Sequence, residues 1–313
     1  MAPLKAAVRV SPAFTLVELM LALVVASIAI LAAVSLYAHA GTMFRTAQSV
    51  QSLEETAQLA IMAMRHDIEL AGFSGHIPFG EPIEMDESAP GSISVRNDCG
   101  EDWAIRITEP VGGSNDAYRW DCPAYARAAA PGADTLVVRY AEPEPAPELE
   151  TGRIYLRTHA PGSVRVFVAP DGEAPAPDRL AGTHALRTRG YYVSTTSAAG
   201  TPEAAVPSLR AKTLTQRGGR AVVVDEEIQP GIEDLQVEFF VDSGHSVSAA
   251  DLSPGDPVRA VRIWLLVRSE FRENGVGGDV IPAYAGRDTK IIADGYRRSL
   301  VTATIAITDD RPF

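Results

Sequence analysis

The sequence predicts an α+β protein: a long amino-terminal α-helix, apolar all round and then amphipathic, packed on a carboxy-terminal antiparallel β-sheet domain. Three observations predict it. No proline occurs between Phe14 and Ile77, so nothing breaks a helix there. An apolar run from Leu19 to Ala38 passes directly into apolar residues spaced by three and four. After Gly72 the periodicity changes to the alternation of half-buried strands.

The chain opens with "MAPLKAAVRVSPA", which carries Lys5 and Arg9 and no acid. A basic start before an apolar core has the outline of a secretory signal peptide. Its core, however, is about 20 residues, beyond the 7–15 of a signal and equal to a membrane-crossing helix. No small-residue cleavage site follows it. Positive charge before the span places the amino terminus in the cytoplasm and the remainder outside. From there Val50, Leu53, Ala57, Ile61, Met64 and Ile68 mark one helical face, with Glu54, Glu55, Arg65 and Asp67 between them. One continuous helix of nearly 60 residues follows, roughly 85 Å at 1.5 Å per residue. Gly41 is its weak point and Gly72 its expected carboxy-terminal cap.

Beyond Gly72 the expected strands are "WAIRIT" from Trp103, "TLVVRYA" from Thr135, "RIYLRT" from Arg153 and "SVRVFVA" from Ser163. Then come "RAVVVDEEI" from Arg220, "DLQVEFFVD" from Asp234, "RAVRIWLLVRS" from Arg259 and "SLVTATIAIT" from Ser299. Turn-rich stretches such as "PVGGSND" separate them. The acidic, proline-rich "AEPEPAPELE" reads as an exposed loop, with a subdomain boundary as the alternative.

The formal net charge of −12 argues against a broad phosphate-binding surface, so nucleic acid is not expected as a direct partner. Cys99 and Cys122 cannot fill a zinc site by themselves, and no His lies near them. In an oxidising compartment they would pair with each other; two buried thiols are the alternative. The six histidines show no ligand spacing, and neither a nucleophile elbow nor a phosphate loop occurs. "HDIE" at His66–Glu69 invites a metal reading, yet its His66 and Glu69 amount to one local helical pair. Catalytic, cofactor and metal residues are therefore expected to be none, and the chain is not expected to be an enzyme.

One carboxylate, Glu18, stands near the start of the apolar run, where a charge is expensive and usually functional. The block "AFTLVELMLALVVASIAIL" resembles the class III signal of type IV prepilins. In that family a short basic leader is cleaved before Phe or Met, and a Glu lies four residues further on. The resemblance implies cleavage between Ala13 and Phe14, N-methylation of the new Phe14 terminus, and an assembly role for Glu18. The family has glycine where this chain has Ala13. A Glu18 carboxylate one turn from the new amine could neutralise it, on a neighbouring subunit when helices pack side by side, and would sit at the positive end of the helix dipole.

Three further blocks resemble the PilW family of minor pilins: "MRHDIELAGFSG" (Met64–Gly75), "IQPGIEDLQVEFFVD" (Ile228–Asp242) and "RRSLVTATIAIT" (Arg297–Thr308). The implied organisation is a leader over 1–13, a helix over 14–71 crossing the membrane at about 19–38, and a β-rich pilin domain over 72–313. The implied function is that of a minor pilin in type IV pilus assembly. It would sit in the inner membrane with its carboxy-terminal domain in the periplasm, and then enter the pilus. Implied partners are other minor pilins, the major pilin and the prepilin peptidase, with a tip adhesin left open. The alternatives are a J-type pseudopilin of type II secretion, or a membrane-anchored periplasmic binding protein or enzyme.

Overall fold

The computed structural model describes residues 15–75, 84–85, 93–146, 148–159, 163–169, 182–198, 205–242, 244–253, 255–273 and 278–308. One helix, α1, runs from Leu16 to Glu69 and continues through Gly41. The chain forms two compact units that meet within this helix, one ending at Ser49 and the other beginning at Val50.

In the first unit every described side chain from Thr15 to Gly41 is exposed, including Leu19, Leu23, Ile28 and Leu31. The segment is long and apolar enough to cross a membrane. Its serine hydroxyls are satisfied on the helix itself: Ser27 donates to the Leu23 carbonyl (2.7 Å) and Ser35 to that of Ala32 (2.9 Å). Such local bonding is what a polar side chain needs where water is absent.

In the second unit the helix buries one face. Leu53, Ala57, Ala60, Ile61, Met64 and Ile68 are each at most 4% exposed, and spacings of three and four bring them into one stripe. Burying each Leu, Ile or Met contributes about 1.5–3 kcal/mol. The helix ends where Gly72, at φ +79°, turns the chain, and its amide donates to the Arg139 carbonyl (3.0 Å).

Two sheets receive this face. The first has eight strands: β1 (Glu84–Met85), β2 (Val111–Ser114), β3 (Thr135–Ala141), β4 (Ile154–His159), β5 (Ser163–Val168), β6 (Thr183–Ser194), β7 (Ser208–Arg217) and β8 (Arg220–Pro230). Its order is β1-β5-β4-β6-β3-β2, with β7 joining β6 to β8. The second begins with β9 (Ile232–Val241), β10 (Ser246–Ser248) and β11 (Val258–Arg268). A short hairpin of β12 (Asp279–Ile281) and β13 (Lys290–Ile292) intervenes, and β14 (Arg298–Ala306) closes the second sheet in the order β10-β9-β11-β14.

The helix stripe shares one core with Leu136, Tyr191 and Leu209 of the first sheet and Leu235, Phe239, Ile263 and Ile305 of the second. A second core collects Val137, Leu156, Val166 and Leu186 with Trp103, Ile105, Cys99 and Cys122. This α+β architecture is the expected one.

Several expected elements are corrected. "WAIRIT" is not a strand but a chain of turns, although Trp103, Ala104, Ile105 and Ile107 are buried. The Asp98 carboxylate accepts from the amides of Cys99 (2.8 Å) and Ala104 (3.1 Å), which curls the backbone before any ladder can form. "PVGGSND" contributes β2 rather than a turn, because Gly113 admits the close approach of Thr135. "AEPEPAPELE" is the loop it was expected to be, connecting β3 and β4 of one sheet, and the alternative of a boundary between subdomains falls away.

Candidate functional site

At the start of α1 the Glu18 carboxylate is engaged locally. It accepts from the Thr15 amide (2.9 Å) and the Thr15 hydroxyl (3.0 Å). The Glu18 amide in turn donates to the Thr15 hydroxyl (3.3 Å). This reciprocal arrangement is a capping box, in which residue pairs spaced T-x-x-E satisfy helix amides that have no partner further back. The sequence signal of this cap is the "TLVE" spacing itself, which the expected amine and dipole roles of Glu18 leave out. Ala13 and Phe14 lie outside the described residues.

The second unit holds a buried polar junction between helix and sheet. Asp67 is 2% exposed. Its carboxylate accepts from the Tyr140 hydroxyl on β3 (2.6 Å), from the Tyr191 hydroxyl on β6 and from Arg189 Nη1 on β6 (3.2 Å). The Tyr191 hydroxyl is also within 3.2 Å of the Ala63 carbonyl. Burial pushes both tyrosine hydroxyls above their ordinary range, and the nearby Asp67 charge adds to the effect. For Arg189, burial opposes the charge, but Asp67 together with the Tyr191 and Tyr140 hydroxyls outweighs it and holds the guanidinium protonated. The junction fixes the helix against both strands at one rotation.

"HDIE" therefore matters through Asp67. Glu69 pairs with Arg65 at 3.5 Å on the exposed face, and His66 stands edge-on to Tyr140. Among the described residues no group of three or more His, Cys, Asp or Glu side chains could hold a metal ion.

Cys99 and Cys122 are joined as a disulfide, with their Cα atoms 4.4 Å apart. The bridge closes the segment that covers the second core. Trp103 and Trp120 meet edge to face, at 5.4 Å between rings, above Gly190 of β6. A Cβ at Gly190 would come within 2.5 Å of Trp103, so only glycine admits this cover. Next to it, Arg210 and Lys212 of β7 are nearly buried and paired. Arg210 binds Asp225 (2.7 Å) and Glu227 (2.9 Å), and Lys212 reaches Asp225 (2.6 Å).

A third polar centre joins the two turn regions flanking β3 and β13. Arg287 donates to Asp234 Oδ2 (2.7 Å), to Asp116 Oδ1 (2.9 Å) and to the Gly132 carbonyl. Asp134, 1% exposed, accepts from the amides of Asp116 (2.7 Å) and Val237 (2.8 Å). Burial pushes its carboxyl up to about 6, against those hydrogen bonds and with the Asp116 and Asp234 charges. Each of these groups is bound to protein partners, which describes structural stapling rather than a chemical centre.

Comparison with known proteins finds a matching family model and similar solved structures. Residues 190–309 match the model of the family described as Type IV Pilus-assembly protein W, PilW. That range holds two of the three blocks singled out in the sequence, from β6 to the end of β14. A type IV-like pilin from Thermus thermophilus is similar over 82% of this chain and 96% of its own, at 11% identity and a TM-score of 0.35. No curated protein matches.

Proposed function

The chain carries PilW-family sequence over residues 190–309, and from that premise we propose that it is a minor pilin taking part in the assembly of a type IV pilus. PilW is a family of pilus-assembly proteins and not of enzymes. The single observation that carries the proposal further is the fully exposed apolar helix of the first unit, joined to a β-rich second unit. Such a helix has two environments available: the hydrocarbon of a bilayer, or the apolar helices of other subunits.

In this reading Lys5 and Arg9 hold the amino terminus in the cytoplasm and the β-rich unit is periplasmic. Cleavage between Ala13 and Phe14 then places the Thr15–Glu18 cap within one turn of a new amine. Glu18 turns from its own cap toward the amine of a neighbouring subunit when helices pack, and so sets their register. Partners are other minor pilins, the major pilin and the prepilin peptidase.

Glu18→Ala tests this directly. The variant inserts and is cleaved, yet is lost from isolated pili and from complexes with partner pilins. Normal incorporation of the variant overturns the register role.

A further inference from the structure

The second sheet ends on an edge that natural proteins usually protect. β14 pairs with β11 in an unbroken antiparallel register from Ala260↔Ala306 to Arg268↔Arg298. The Ile307 amide donates to the Arg259 carbonyl (2.9 Å), and the Arg297 carbonyl accepts from the Ser269 amide (2.8 Å). Peptide groups alternate sides along a strand, so the odd-numbered residues from 297 to 307 face β11. The amides and carbonyls of Leu300, Thr302, Thr304 and Ala306 therefore face the other way, where no strand pairs among the described residues.

Both ends of this open row are closed by the fold. At its start the Arg298 amide donates to the Asp279 carboxylate of β12. At its finish the Thr308 amide donates to the Glu69 carbonyl at the end of α1 (2.8 Å). Between them the edge has no lysine, no proline and no charge from Ser299 to Thr308. Charges, prolines and bulges are the ordinary means of blocking strand addition, and this edge uses none of them. Beside its start, the β12–β13 hairpin presents Val280 (65% exposed) directly opposite Ile291 (73% exposed).

We propose that the β14 edge is a strand-addition site, occupied by an extended segment of another subunit of the same assembly. The inference rests on the pilus reading and adds to it the surface used. The segment it fits carries one acidic side chain and is otherwise uncharged. Arg262 lies beside the edge, its Nε 3.2 Å from the Thr304 hydroxyl, and Glu238 on β9 is 3.6 Å from it on the far side. An acid opposite Thr304 would complete that pairing.

A second copy added antiparallel, edge to edge, does not fit. β14 runs along the helix from the level of Thr56, which packs near Gly231, to Glu69. Two β14 edges paired antiparallel would point their Val50–Glu69 helices in opposite senses, whereas subunits entering from one membrane share a sense. Backbone pairing supplies the affinity in such additions, and side-chain alternation supplies the choice of partner.

Hydrogen exchange on the full chain tests the site, in detergent and in isolated pilus assemblies. In detergent the amides of Leu300, Thr302, Thr304 and Ala306 exchange on the order of 100-fold faster than those of Val301, Ala303 and Ile305. In assemblies the four slow to match their neighbours; four amides still open there overturn the proposal. Thr304→Pro removes only an outward amide, which an edge strand tolerates, and Thr304→Lys adds a blocking charge. Both variants keep the disulfide and the protection of Val301, Ala303 and Ile305, yet fall about 10-fold or more in pilus incorporation. Normal incorporation of both overturns the site. A wild-type chain that is neither processed nor found with pilus subunits defeats the pilus reading instead, and this occupant with it.

Discussion

The Tyr140 hydroxyl donates a 2.6 Å hydrogen bond to the Asp67 carboxylate, tying the amphipathic end of α1 to the middle of the first sheet. Asp67 is almost fully buried and also holds Tyr191 and Arg189. Asp67→Ala leaves two buried hydroxyls and a guanidinium without their shared acceptor. The expected loss is about 3–5 kcal/mol, while Tyr140→Phe costs about 1 kcal/mol. Urea unfolding of the full chain in detergent checks the contrast; equal effects of the two substitutions would contradict it.

Asp134 gives the β-rich unit a pH dependence of defined sign. Its folded carboxyl sits at about 6, above the ordinary 3.8. Between those values the folded chain binds the proton more tightly than the unfolded chain does. The contribution of this group is therefore full below pH 3.8 and is lost as pH rises through about 6. Asp134→Asn removes that component, so the stability difference between variant and wild type shifts toward the variant by up to about 3 kcal/mol from pH 4 to 7. A difference that stays constant over this range contradicts the assignment.

The disulfide spans a sequence separation of 23 and secures the cover that holds Trp103 and Trp120 over Gly190. Reduction, or Cys99→Ser with Cys122→Ser, is expected to cost about 3 kcal/mol in the chain-entropy model. It should also change tryptophan fluorescence before global unfolding. Thermal melts with and without reductant check both effects, and an unchanged Tm would contradict them.

How far the fold could be read from residues alone follows from where polar side chains are buried. β3, β8, β9, β11 and β14 announce themselves because their inward residues are aliphatic or aromatic. β6 and β7, central to the first sheet, do not. Thr188, Arg210, Lys212 and Thr213 occupy buried positions, and only tertiary partners such as Asp225, Glu226 and Glu227 make that possible. Alternation cannot reveal a strand whose inner face is built from ion pairs across to its neighbour. "WAIRIT" fails in the opposite way, as an apolar run buried through turns. Glu18 stands out in the sequence as a misplaced charge, whereas its partner Thr15 is marked only by the T-x-x-E capping spacing. Asp67 looked like one more polar residue of an amphipathic helix, since nothing local distinguishes a solvated acid from one met by two tyrosines.

The central claim is that the apolar helix is an assembly element released by leader cleavage, rather than a permanent anchor of an uncleaved chain. Intact-mass and amino-terminal fragment mass spectrometry of the protein recovered from membranes measures this directly. The account predicts a chain beginning at Phe14 and carrying one added methyl group on its amine. A chain that retains Met1, or one that begins beyond Ala38, would contradict it.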